Sequence, residues 1–144
     1  MATFAIIETD WARGAPRLSA VRRTVFIDEQ GVPEALEWDE HDAVALHLLA
    51  TSDDGTPIGC ARLLPDGHIG RMAVLPAWRG RGVGRALLHA TLDAARRAEH
   101  ASVRLSAQCR AATFYLRAGF AAEGGVYLEA GIPHVEMVKT LVGA

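Results

Sequence analysis

Between residues 71 and 88 the chain reads Arg71-Met72-Ala73-Val74-Leu75-Pro76-Ala77-Trp78-Arg79-Gly80-Arg81-Gly82-Val83-Gly84-Arg85-Ala86-Leu87-Leu88. That is an apolar run, a proline, a turn rich in glycine and arginine, and an amphipathic stretch. Gly80, Gly82 and Gly84 stand at alternate positions, so backbone N–H groups can converge there with no Cβ in the way. The first turn of the helix that follows adds N–H groups without intrahelical partners and the positive end of the helix dipole. The chemistry this predicts is anion binding, with a pyrophosphate as the best fit. Arg85 stands where G-x-G-x-x-G needs its last glycine, and no G-x-x-x-x-G-K-[ST] can be drawn, which sets aside the two commonest phosphate loops. A glycine- and arginine-rich surface turn is the alternative that the stretch alone leaves open.

Composition bounds the partners. The chain has 144 residues, half of them hydrophobic and 22% charged, with a net charge of −2. That length suits one domain spanning 1–144. An overall acidic balance argues against a nucleic-acid binder, so the local arginines more plausibly serve a small polyanion. No apolar run approaches the roughly 20 residues that cross a bilayer. The amino-terminal stretch meets Glu8 too soon to be a signal peptide, so a cytoplasmic protein without membrane contact is expected. Cys60 and Cys109 are far apart and read as small core residues. Neither cysteines nor histidines have zinc-ligand spacing, so no metal is expected.

The elements that must position the loop follow from periodicity. Thr3 to Glu8 is a β-rich run. Pro16 to Asp28 places Leu18, Val21, Val25 and Phe26 on one helical face, with Arg22 and Arg23 outside and Gly31 beyond the end. From Gly31 to Asp42 the acids Glu34, Glu37, Asp39, Glu40 and Asp42 crowd around Pro33. The segment leaves open a short helix or a lid; it reads as a solvated acidic loop, or as a stretch that attracts a cationic amine. Ala43 to Thr51 and Pro57 to Leu64 flank an Asp54-Gly55 hairpin signal, and Pro65-Asp66-Gly67 predicts a second turn. His68 to Leu75 is then the third strand of a meander. A helix from about Gly82 to Glu99 buries Val83, Leu87, Leu88, Leu92 and Ala95, and Val103 to Ala107 follows as a strand, giving a right-handed βαβ unit. A helix over about Arg110 to Ala118 and two strands, Ala121 to Leu128 and His134 to Val142, close the chain. His47, within an apolar strand, reads as a satisfied buried histidine, and Trp78 as a packing residue.

Arg79, Gly82 and Gly84 fit the pattern Arg/Gln-x-x-Gly-x-Gly/Ala just after a strand, and in this the stretch resembles the acetyl-CoA loop of the GNAT superfamily of N-acetyltransferases. Gln108-Cys109-Arg110-Ala111-Ala112-Thr113-Phe114-Tyr115-Leu116-Arg117-Ala118-Gly119-Phe120 resembles the second signature of that family, with Gln108 where asparagine is usual. Val25-Phe26-Ile27-Asp28-Glu29-Gln30-Gly31-Val32-Pro33 and Gly131-Ile132-Pro133-His134-Val135-Glu136-Met137 look like segments of its ElaA/YjcF-like branch. The resemblance covers nearly the whole chain. It implies an α/β (mixed α+β) domain: a mostly antiparallel sheet of six or seven strands, a central βαβ unit and helices on both faces.

The resemblance also implies a function, acetyl-CoA-dependent transfer of an acetyl group to a primary amine. The strand with Met72, Ala73 and Val74 would part from the strand with Leu105-Ser106-Ala107 and pair with pantetheine. Gly80, Arg81, Gly82, Val83, Gly84 and Arg85 would hold the pyrophosphate by backbone N–H groups, with Arg79 and Arg81 as candidate phosphate partners and Phe114 against the cofactor. Met72 N–H would donate to the thioester carbonyl. Tyr115 matches the family's tyrosine beside the sulfur and would protonate the departing thiolate. The base is open among His68, His134 and Glu29. His68 leads on the expectation that His68, Gly70, Met72 and Val74 share one strand face, with His68 about 13 Å upstream of Met72 and able to act through water. The acceptor is expected to be a small molecule, and a second copy of the chain is a candidate partner. Two alternatives stay open, a non-catalytic acyl-CoA sensor and an acyltransferase for longer chains.

Overall fold

Two Asp-Gly turns fold the first half of the sheet. Gly55 (φ 84°) and Gly67 (φ 94°) adopt the left-handed backbone such turns require, and their N–H groups bond Ser52 O at 2.9 Å and Leu64 O at 3.0 Å. In the computed structural model, which describes residues 3–141, the chain runs β1 (Phe4–Thr9), α1 (Trp11–Arg22), α2 (Glu34–Glu37), β2 (Leu46–Ser52), β3 (Pro57–Leu63), β4 (His68–Val74), α3 (Val83–Arg97), β5 (Ser102–Gln108), α4 (Ala112–Arg117), β6 (Ala121–Glu129) and β7 (Ile132–Thr140). Val142, to which the sequence extends the last strand, lies outside the described residues. The spatial order is β1-β2-β3-β4-β5-β7-β6, with only β4 and β5 parallel among neighbours. This is the mixed, mostly antiparallel sheet with a central βαβ unit that the sequence implies.

Helices cover both faces. On one, Leu18, Val21 and Val25 pack with Leu49, Cys60 and Ala73; on the other, Val83, Leu87, Leu88, Leu92 and Ala95 of α3 are buried, as their spacing predicts. Close approach of α3 depends on Gly59. A Cβ there would lie 2.9 Å from Leu87 Cδ1, 3.1 Å from Ala73 O and 3.2 Å from Val83 Cγ1. Gly59→Ala is therefore expected to cost about 1–3 kcal/mol by pushing α3 off β3. In urea denaturation the midpoint should fall with the slope unchanged.

The first helix corrects the sequence reading twice. It starts at Trp11 rather than Pro16, because Asp10 caps it by accepting from Arg13 N–H at 2.9 Å. Pro16 sits in the second turn, where its missing N–H leaves one carbonyl without a helical partner. The helix continues as a π-helical turn over Arg23–Glu29. Arg22, assigned to the solvent face, is instead 1% exposed. Its Nε donates to Glu37 Oε2 at 2.8 Å and its Nη1 to Asp42 Oδ1 at 2.7 Å, with the Trp11 and Trp38 rings over the guanidinium. Periodicity places charges outside because a lone buried charge is costly, and here two carboxylates remove that cost.

Those carboxylates also overturn the solvated-loop reading of residues 31–42. Glu37 and Asp42 are buried, and Asp39 accepts from Arg62 Nη1 at 2.7 Å and Arg71 Nη2 at 3.2 Å. Arg62 also reaches Asp42, and Arg71 Nε lies 3.1 Å from Glu37 Oε2. Burial pushes Glu37 above the ordinary carboxylate range despite its arginines. Burial also opposes ionisation of Asp39 and Asp42, but hydrogen bonds from Arg62 and Arg22 leave both below theirs. The acidic segment is thus fastened to α1 by Arg22 and to the sheet by Arg62 and Arg71.

Candidate active site

β4 and β5 pair only over the first two residues of β4, His68 with Arg104 and Ile69 with Leu105. Beyond that they part, and the other edge of β4 gives the cause. Cys60 pairs with Ala73 and Arg62 with Gly70, so β4 holds one more residue than β3 over this stretch. The extra residue is accommodated at Arg71, a non-glycine at φ 47°. Such a bulge bends its strand and re-aims the side chains that follow. Arg71 is clamped in turn: Nε and Nη2 donate to Glu37 O at 3.3 and 3.0 Å.

The bulge corrects the expectation that His68, Gly70, Met72 and Val74 share a face. Ile69, Met72 and Val74 reach the clusters beneath α3, whereas Ala73 lies beneath α1. Met72 therefore has the parity of Ile69, opposite to that of His68 and Gly70. A cavity of ≈ 550 Å³ opens where the strands separate, lined by Gly70, Arg71 and Met72 of β4, Ser106 and Gln108 of β5, and Tyr115 of α4.

Next to this gap, Pro76–Trp78 make one short helical turn and Gly80 and Gly82 lie at φ 76° and 85°. A Cβ at either would meet nothing within 4 Å, so the backbone is open to close approach. Gly84 belongs to the first turn of α3, and a Cβ there would only touch Phe114 and Val74 at 3.7 Å. Val83, Gly84 and Arg85 start the helix, where N–H groups have no carbonyl one turn back. Arg81 stacks over Trp78 at 5.0 Å. A second cavity of ≈ 470 Å³, between α3 and α4, is lined by Arg85, His89, Phe114 and Arg117 among others.

Arg79 and Glu29 are joined to each other. Arg79 donates to both oxygens of Glu29 at 2.7 and 2.6 Å and to Val74 O at 3.0 Å, bracing the loop against the end of the π-helical turn. The hydrogen bond from Arg79 holds Glu29 below the usual carboxylate range. Glu29 is thus a poor proton acceptor as well as absent from the cavity lining. Glu29→Gln is expected to change turnover by at most about fivefold, the scale of a partly exposed ion pair; steady-state kinetics check this.

The other candidates line the cavity in different settings. Tyr115 is partly buried, edge-on to Phe114 and Phe120, with its hydroxyl 3.7 Å from Met72 Sδ. Burial pushes its phenol up to about 12. His68 sits at the mouth, close to half exposed, with Nδ1 3.0 Å from Asp66 Oδ1. His134 is 6% exposed and stacks on Tyr127. Its Nδ1–H donates to Ile132 O at 2.6 Å, leaving Nε2 3.5 Å from Glu129 Oε2. Gln108, where the family pattern has asparagine, caps no helix; its NH2 donates to Gln30 Oε1 at 2.8 Å and its Oε1 accepts from Arg110 at 2.9 Å.

Sequence reasoning missed Gln30, Arg62, Arg71, Glu129 and Glu136, all in the lining, which Glu37 of the acidic segment joins. The available signal was Arg62, a charge inside the apolar run Ile58-Gly59-Cys60-Ala61-Arg62-Leu63. His47 is buried and bonded to Asp42 O at 2.9 Å, as its strand context predicts. Cys60 is buried too, and burial pushes its thiol up to about 12.

A sheet parted beside a glycine turn and helix start is the architecture of an acyltransferase, and the acetyltransferase (GNAT) domain family model matches residues 14–141. The chain belongs to this family. It is 35% identical over 123 residues to the uncharacterized N-acetyltransferase YjcF of Bacillus subtilis (strain 168), covering 83% of this chain and 87% of that one. It is 32% identical over 137 residues to protein ElaA of Escherichia coli (strain K12), covering 88% of each. An acyl-CoA N-acyltransferase from Pseudomonas aeruginosa superposes with a TM-score of 0.86 at 34% identity, over 96% of this chain and 100% of that one.

Proposed function

We propose that this GNAT-family protein moves an acetyl group from acetyl-CoA directly to the primary amine of a small molecule. The observation that carries this reading is the Tyr115 hydroxyl, partly buried beside Met72 at the parting of β4 and β5. The residues present fit the co-substrate. Gly80 and Gly82 leave the loop backbone open to a pyrophosphate, the freed edge of β4 at Met72, Ala73 and Val74 suits an amide-bearing arm, and Arg85, His89 and Arg117 offer donors to further phosphate near Phe114. Acetyl-CoA supplies an activated carbonyl and a thiol leaving group.

The chain's own groups do the rest. Met72 N–H donates to the carbonyl oxygen as negative charge grows there. The amine nitrogen bonds to the carbonyl carbon, and the carbon–sulfur bond breaks. Tyr115 gives its phenolic proton to the sulfur, and His134 Nε2 takes the proton lost by nitrogen. His134 is preferred to His68 because it is anchored within the cavity, and because the Glu129 carboxylate stabilises the imidazolium that forms. Cys60 and Cys109, both free thiols, fit a cytoplasmic setting.

An amine panel tested with acetyl-CoA, following thiol release, checks the reading. Turnover with one or more amines supports it. Tight acetyl-CoA binding by calorimetry without thiol release from any amine would point to a sensor, and faster turnover with longer acyl chains to a different acyl donor.

A further inference from the structure

The cavity carries Arg62, Arg71 and Gln30 on one side, with Glu37 among them, and two further carboxylates on the other. On the β3–β4 side, Arg62 is 6% exposed; its Nη1 serves Asp39 and Asp42, and its Nε is buried with no acceptor at all. A buried donor left unmet is costly and calls for an explanation. Arg62 pairs across the sheet with Gly70, where an added Cβ would meet nothing within 4 Å, and both residues line the cavity. Gln30, its Oε1 already taken by Gln108, brings an amide NH2 to the same lining. On the opposite side, β7 and the end of β6 contribute Glu129, Glu136 and His134.

We propose that the acceptor is a free amino acid, or a similar small amine bearing a carboxylate, with its carboxylate on Arg62 and its amino group toward Glu129 and Glu136 beside His134. This rests on the acyl-transfer reading above. A guanidinium Nε–H and the neighbouring Nη–H form the fork that a carboxylate fits with two parallel bonds. A simple alkylamine leaves Arg62 Nε unmet, and a neutral ester carbonyl matches the fork less well. Glu129, and Glu136 whose Oε1 also accepts from Arg104 Nε at 3.0 Å, favour arrival of the amine as ammonium; His134 takes the first proton to give the neutral nucleophile, and the second, lost as the amide forms, replaces the one Tyr115 gives to sulfur.

The test measures thiol release from acetyl-CoA with each standard amino acid, its methyl ester and its decarboxylated amine, using the native sequence. For at least one amino acid, kcat/KM should exceed that of both derivatives by about 10- to 100-fold, the scale of a hydrogen bond to a charged group. Equal rates, or preference for the ester or the decarboxylated amine, would overturn this inference while leaving acyl transfer intact. Thiol release with none of these compounds, where other amines turn over, overturns this inference alone; release with no amine of the wider panel, in protein that binds acetyl-CoA, overturns both. Arg62→Lys, once its melting temperature shows it folded, should lose the discrimination, because lysine has no planar fork. Discrimination that persists in it would remove Arg62 from the role.

Discussion

Tyr115→Phe is expected to lower kcat by about 10²- to 10³-fold, the range for loss of a positioned general acid, while leaving acetyl-CoA affinity within about threefold. The substitution deletes one oxygen and keeps the ring that packs edge-on against Phe114 and Phe120. The hydroxyl's protein contact is a thioether at 3.7 Å, which stabilises the fold little. Single-turnover kinetics with calorimetry separates the two quantities, and a fall in affinity equal to the fall in rate would make Tyr115 a packing residue.

The pH dependence follows from burial. Burial raises the Tyr115 phenol from 10 to about 12, so it stays a proton donor throughout the neutral range. Activity that depends on it is lost only as pH rises toward about 12, and no falling alkaline limb from this group should appear below pH ~10. The same shift bears on stability. The unfolded chain loses this proton first, so the contribution is complete below pH 10 and disappears as pH rises through about 12. Tyr115→Phe should remove that part of the alkaline sensitivity in a melting-temperature series.

His134→Ala should lower kcat/KM by about 10²- to 10³-fold and flatten the rising limb of the pH–rate profile, whereas His68→Ala should alter it by no more than about fivefold. The contrast comes from geometry. His134 has one nitrogen fixed by Ile132 O and the other next to Glu129, and it is buried. His68 leans on Asp66 at the exposed start of β4, on the strand face opposite Met72. Because His134 also packs on Tyr127, a melting temperature close to the parent's must accompany the kinetic result. The reverse ranking of the two variants would return the base to His68.

Local sequence determined much of this protein. Asp54-Gly55 and Asp66-Gly67 fix their turns through the backbone freedom of one residue each. The apolar spacing of Val83, Leu87, Leu88, Leu92 and Ala95 fixes both α3 and its buried face. Gly80 and Gly82 announce an open loop before a helix start, and the stretch 108–120 carries Tyr115. Each signal lies within a span of at most about 18 residues, where periodicity and turn chemistry operate.

Tertiary structure decided the rest, because those features compare segments that are remote in the chain. The bulge at Arg71 is a difference in residue count between β3 and β4, invisible in β4 alone, yet it parts β4 from β5 and turns Met72 away from the face of His68. The burial of Arg22 requires Glu37 and Asp42, 15 and 20 residues away. The standing of His134 over Glu29 depends on Arg79, 50 residues from Glu29, having claimed that carboxylate. Periodicity reports how a residue sits on its own element. Whether a charge is exposed, paired or poised for proton transfer depends on which distant partner the fold brings to it.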